Sequence, residues 1–236
     1  MKARLFCPYC ARTNDTEFTA HFIPKNDNRY QFTCPAGHHF EATIVYHEFQ
    51  KLFEIAIEML SSDYYREAIA SFAASYERFM ELFIRIVMRA NKIENEVTDK
   101  AWKNISHFSE RQFGAFIVLF ALEFSTQPNL LSNTLIRLRN QVIHQGYFPT
   151  KEECISYGSA VLDFIRATIK RLHASEKHHD ELIRSINDQD DFSATAPELH
   201  FYAYPLIGTN RPPENDTNTL EDMLSAAIQA RTIHMA

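Results

Sequence analysis

A mainly α fold, a helical bundle preceded by a small β-hairpin module and followed by a mixed tail, is what this 236-residue sequence predicts. Three observations lead there. Residues 1–46 hold short segments that alternate apolar and polar side chains, whereas from about His47 apolar residues recur every three or four positions. Gly is scarce at 5 residues while Phe is heavily used at 19, which suits long helices better than a turn-rich β fold. Hydrophobic residues make up 45% of the chain, enough to bury a sizeable core and to argue against wholesale disorder.

The elements follow in order. Glu17–Ile23 and Arg29–Thr33 alternate and flank the turn-forming run Lys25-Asn26-Asp27-Asn28, which predicts a hairpin, and Phe40–Tyr46 can add a third strand. Phe49, Leu52, Phe53, Ala56, Met59 and Leu60 mark a first helix. Ser62 or Asp63 caps a second, running from Tyr64 to Asn91. A third covers about Ser109 to Phe124, and a fourth about Leu130 to His144, stopped by Gly146. Thr150 and Glu153 form a capping box for a fifth, long helix reaching about Ile186. The chain therefore divides into a β module (1–46), a helical bundle (47–186) and a tail (187–236). The tail starts with the acidic linker 187–191. A strand near Leu199–Ile207, a loop over Thr209–Thr219 and a last helix from Leu220 to Ile233 follow.

Charge and targeting narrow the function classes. The formal net charge of −6 excludes non-specific phosphate binding by the whole surface, so any nucleic-acid contact must be local. The first ten residues hold no apolar run long enough for a signal peptide. The longest apolar stretch, Phe113–Phe124, is too short to span a bilayer. A cytoplasmic protein with no membrane partner is the expectation.

Three of the four cysteines cluster near one end. Cys7-Pro8-Tyr9-Cys10 is a C-x-x-C knuckle, and Cys34 is followed by His38 and His39. Zinc favours tetrahedral thiolate and imidazole ligands, and two tight turns each offering two ligands meet that geometry. Cys7, Cys10, Cys34 and either His38 or His39 would complete a closed, structural Zn2+ site; spacing does not separate the two histidines, and His38 is the favoured one. The arrangement over residues 5–42 resembles a zinc ribbon. Cys154 stands apart and reads as a small packing residue.

The second constellation is Arg139-Asn140-Gln141-Val142-Ile143-His144. Asn140 and His144 are four apart and project from nearly the same helix face. Arg139 lies five before His144, a rise of about 7.5 Å that a guanidinium side chain can span. Glu77, Arg78, Glu81 and Arg85 on the second helix can bring further polar groups towards the same cleft or form a solvated charged face.

Arg139-Asn140-x-x-x-His144, set between two long amphipathic helices, resembles the signature of HEPN ribonucleases, and the resemblance covers roughly residues 47–186. It implies metal-independent RNA cleavage by Arg139, Asn140 and His144. The RNA's own 2′-OH would attack the adjacent phosphate and leave a 2′,3′-cyclic phosphate. A homodimer is implied, as is a toxin or phage-defence role with an antitoxin or other protein partner. Many HEPN-like domains are instead inactive binding modules, so a non-catalytic zinc-ribbon module that binds a protein or nucleic acid is the alternative. A DNA-binding regulator fits least, since the ribbon lacks a dense basic run.

Overall fold

The computed structural model describes residues 2–10, 17–187, 199–202, 205–210, 212 and 217–235. Most of the acidic linker 187–191 and part of the loop 209–219 lie outside the described residues. The N-terminal portion holds β1 (Lys2–Phe6), β2 (Glu17–His21), β3 (Arg29–Thr33) and β4 (His39–Val45). The expected pairing of the segments at 17–23 and 29–33 is not the one formed. β1 pairs antiparallel with β2, and β3 pairs antiparallel with β4, with Thr33 opposite His39. The reason lies in the turn at 34–38. Cys34 N donates to His38 O at 3.0 Å and Gly37 N to Cys34 O at 2.9 Å, with Gly37 at φ 84° where a side chain would strain the backbone. This tight turn folds the chain after β3 straight back onto it, and β4 takes the partner edge. Tyr30, Phe32, Phe40 and Ala42 alternate inward and form a small core with Leu5, Phe22, Ile44 and Tyr46.

A strand from the tail, β5 (Leu199–Tyr202), adds to the other edge of β4 in parallel, with Ala42 opposite Leu199 and Val45 opposite Tyr202. The N-terminal sheet is thus closed by residues that arrive about 157 positions later in the chain.

Among the described residues there are eight helices, seven between β4 and β5 and one after β5: α1 (Glu48–Ser61), α2 (Tyr65–Ala90), α3 (Asn95–Ile105), α4 (Ser109–Phe124), α5 (Asn133–Gln145), α6 (Lys151–His173), α7 (Glu176–Asn187) and α8 (Leu220–Met235). The 26-residue α2 is the spine, and α1, α4, α5, α6 and α7 pack around it. Its fully buried Phe72, Phe79 and Phe83 meet Phe53, Phe49 and Phe116 edge-on, with centroids 4.8–5.1 Å apart. None of the helices among the described residues is long and apolar enough to cross a membrane.

Several boundaries differ from expectation for local reasons. Neither Ser62 nor Asp63 caps α2: Asp63 sits at φ 62° and its carboxylate instead accepts from Tyr65 Oη at 2.6 Å. α5 starts three residues late because Ser132 caps it by accepting from Leu135 N. The Thr150–Glu153 capping box forms as read, through bonds of 3.2 and 2.8 Å. The fifth expected helix is two: α6 stops at Ala174, and Ser175 begins α7, its hydroxyl 2.7 Å from His178 Nδ1. α3 goes unseen in the sequence because only Thr98 and Trp102 of its eleven residues are buried.

Two positions yield expectations for stability. Gly158 lies where α6 meets α2 and α8; an added Cβ would stand 2.7 Å from the Phe72 ring and 2.9 Å from Leu220 Cδ2. Gly158→Ala should cost about 1–3 kcal/mol through overpacking, read as a lower denaturation midpoint. An unchanged midpoint would mean that α8 yields freely. Glu54, on α1, accepts from Leu206 N at 3.3 Å. Burial pushes its carboxyl up from 4.5 to about 7. The folded state therefore holds a proton that the unfolded state releases, and stability falls as pH rises from about 4.5 through about 7. Glu54→Gln should remove that part of the decline, so melting curves at pH 5 and pH 8 should differ less than in the native chain.

Candidate functional site

Two groups of chemically active side chains stand out, one in the β portion and one in the helical bundle. In the β portion, the loop after β1 carries Cys7 and Cys10, and the β3–β4 turn carries Cys34 and His38. The four ligand atoms lie within 4.8 Å of one another, the cysteines buried and His38 partly so. Cys10 Sγ is 3.2 Å from His38 Nδ1 and 3.7 Å from Cys34 Sγ; His38 Nδ1 is 3.7 Å from Cys7 Sγ and 3.6 Å from Cys34 Sγ. His39 points elsewhere, its Nδ1 2.9 Å from Thr33 Oγ1 on the exposed strand face. The register explains the choice: His39 is the first residue of β4 and pairs with Thr33, whereas His38 still belongs to the turn. Burial works against ionising Cys34, but hydrogen bonds from the backbone of His38 and Ala36 and from Cys7 outweigh it and bring its thiol down to about 6. Burial, then hydrogen bonds shared with Cys7 and Cys34, push Cys10 up to about 12. Three sulfurs and an imidazole nitrogen gathered this closely are a donor set that suits a metal cation, and these four residues can hold a metal ion.

The second group sits where α5 crosses α2. Arg139 Nη2 donates to Glu77 Oε1 at 2.7 Å and Nη1 to Asn140 Oδ1 at 3.0 Å, so the guanidinium is held from two sides. Both partners of the ion pair keep about a quarter of their side-chain surface exposed. Arg139, Asn140 and Glu77 line a cavity of about 260 Å3 together with Tyr76, Phe113 and Tyr157. Burial pushes the Tyr157 hydroxyl well above its ordinary range, while the Arg139 charge draws it partly back. His144 lies outside this cavity. It is exposed in the last turn of α5, one turn beyond Asn140, where Gly146 at φ 71° ends the helix.

The structure therefore joins Arg139 to Asn140, adds Glu77, and leaves His144 exposed at the helix end, outside the cavity lining. Glu77 was visible in the sequence only as one member of a charged run; its neighbours Arg78, Glu81 and Arg85 face a different part of α2. Tyr76 and Tyr157 gave no signal beyond core-facing positions on their helices. Cys154 is a packing residue, buried with Sγ 3.2 Å from Tyr65 O.

No family model matches the chain, and neither the curated proteins nor the solved structures contain a match.

Proposed function

We propose that this protein is a metal-independent endoribonuclease of the HEPN type, a toxin or phage-defence effector acting in the cytoplasm as a homodimer. The observation that carries the reading is the Arg139 guanidinium, fixed by Glu77 and Asn140 at an open cavity, with an exposed histidine one turn away. An RNA 2′-OH would attack the neighbouring phosphorus and break its bond to the 5′ oxygen. His144 would take the 2′ proton or deliver one to the leaving oxygen, and a second copy's histidine would serve as its counterpart. Arg139 would stabilise the charge gathering on the phosphoryl oxygens. Asn140 and Glu77 would hold the guanidinium in place for that task.

Zn2+ is the ion this reading places on Cys7, Cys10, Cys34 and His38. Zinc bonds of about 2.3 Å to sulfur and about 2.0 Å to nitrogen put tetrahedral ligand atoms about 3.5–3.8 Å apart, close to the separations found here. Four protein ligands fill the tetrahedron, so its role is to brace the β hairpins.

One observation favours a non-catalytic binding module instead: Arg139 already has an internal carboxylate partner and His144 does not face the cavity. Incubating the purified full-length protein with total RNA, with and without EDTA, separates the two. Cleavage that survives brief EDTA exposure and leaves 2′,3′-cyclic phosphate and 5′-hydroxyl ends supports the enzyme. Intact RNA under both conditions supports the binding module.

A further inference from the structure

The cavity beside Arg139 has a buried floor and an open mouth. Ala73 and Met80 of α2 and Tyr157 of α6 form the floor and are all but covered, whereas Glu110 and Ile136 stand exposed at the mouth. Tyr157 as a whole is only 2% exposed. Its hydroxyl nevertheless makes no hydrogen bond among the described residues, and it is not one of the unmet atoms closed off from the surface. Burial keeps that hydroxyl protonated, so it can donate or accept. The Tyr76 hydroxyl differs: it is sealed in and takes no part.

Two further groups around the cavity are unspent. A guanidinium has only donors, so the amide oxygen of Asn140 is the atom turned to Arg139, and the Asn140 NH2 is left unpaired among the described residues. Arg139 holds Glu77 through Oε1, which leaves Oε2 as an acceptor. The two charges offset each other, so this wall does not call for an ion. It offers a donor, an acceptor and a hydroxyl that can act as either. The rest of the lining is largely apolar. Phe113 is half-buried, and its ring touches no other ring among the described residues.

We infer that this cavity binds a nucleobase, its ring against Phe113 and its polar edge on the Tyr157 hydroxyl, the Asn140 NH2 and Glu77 Oε2. A nucleobase is planar and uncharged and carries donors and acceptors side by side along its edge. A buried hydroxyl left unmet is costly, and that edge meets it. The volume of about 260 Å3 lies just under the roughly 300–1,000 Å3 usual for drug-sized ligands, as suits a smaller ring system. The choice of a nucleobase among neutral planar rings rests on the ribonuclease reading, to which it adds a base preference. A free nucleoside and one residue of an RNA strand offer the same ring.

Titration calorimetry on the full-length protein tests the site without any cleavage step. The probes are adenosine, inosine, cytidine and uridine, with ribose as the control that lacks a base. At least one nucleoside should bind at millimolar concentration, about tenfold more tightly than ribose or better. Tyr157→Phe keeps the ring and removes only the hydroxyl; it should weaken that nucleoside about three- to tenfold. Phe113→Ala should weaken it about fivefold or more through lost stacking. Melting temperatures confirm that both variants are folded. If the base belongs to RNA, a short strand of the preferred base with 2′-O-methyl sugars, which resists cleavage, binds more tightly than the nucleoside and is weakened by Tyr157→Phe. If a free nucleoside is the ligand, the strand binds no better. Nucleosides that bind no more tightly than ribose overturn the inference even if the protein cleaves RNA, and so do affinities unmoved by both variants. Nucleoside binding without RNA cleavage upholds it and removes the ribonuclease reading alone.

Discussion

Replacing Cys34 with serine should empty the metal site and unfold the β portion while the bundle survives. Cys34 is one of the four residues that can hold the ion, and the adjacent His39 is turned away towards Thr33. The two hairpins share only a small core around Leu5, Phe22, Tyr30 and Phe40. A metal held there would link the loop after β1 to the β3–β4 turn. In small modules of this kind structural zinc contributes about 10–16 kcal/mol of apparent folding energy, far more than that core can replace. Elemental analysis should fall from one zinc per chain to nearly none. Hydrogen exchange should lose protection over 17–46 and keep it along α2. His39→Ala should bind one equivalent as before. A Cys34→Ser protein that retains a full equivalent of zinc, or full protection of β3 and β4, would refute the assignment.

Loss of either Arg139 or His144 should slow RNA cleavage by about two to four orders of magnitude. General acid–base catalysis by a positioned side chain contributes about 10²–10⁴-fold, and removing one charge-stabilising donor costs about 10²–10³-fold. Neither substitution should disturb the fold, since His144 is exposed and Arg139 only partly buried. Glu77→Gln gives the finer test. It keeps an oxygen for Arg139 Nη2 but removes the counter-charge, so its rate should lie between native and Arg139→Ala. Cleavage should be followed by end mapping, with melting temperatures confirming that each variant is folded. Full activity in folded Arg139→Ala and His144→Ala together would end the catalytic reading, and the binding module would stand in its place.

Much of the fold was legible because its signals are local. The Ser109–Phe124 helix, the Thr150–Glu153 box and the Gly146 stop each depend on a few adjacent residues. Strand pairing was not legible in the same way. β1 was unmarked in the sequence, and the turn after Cys34 competed with the Lys25–Asn28 run for the hairpin; hydrogen-bond partners depend on which turn closes first. α3 escaped because charged residues fill its exposed face and only Trp102 and Thr98 report its packing. The four residues that can hold a metal ion were readable down to the choice between His38 and His39, which strand register decides. At the second site the helix spacing gave Arg139 and Asn140, but the carboxylate that holds Arg139 comes from 62 positions earlier, beyond any window of local reading.

The parallel strand β5 sets a timetable for synthesis. Until Leu199–Tyr202 leave the ribosome, the outer edge of β4 offers unpaired backbone groups along Ala42–Val45. An open edge of this kind is a template for pairing with another chain. The nascent protein therefore carries this open edge until β5 emerges to cover it. Slowed elongation between codons 46 and 199 should raise the aggregated fraction, whereas the same pause placed after codon 235 should not.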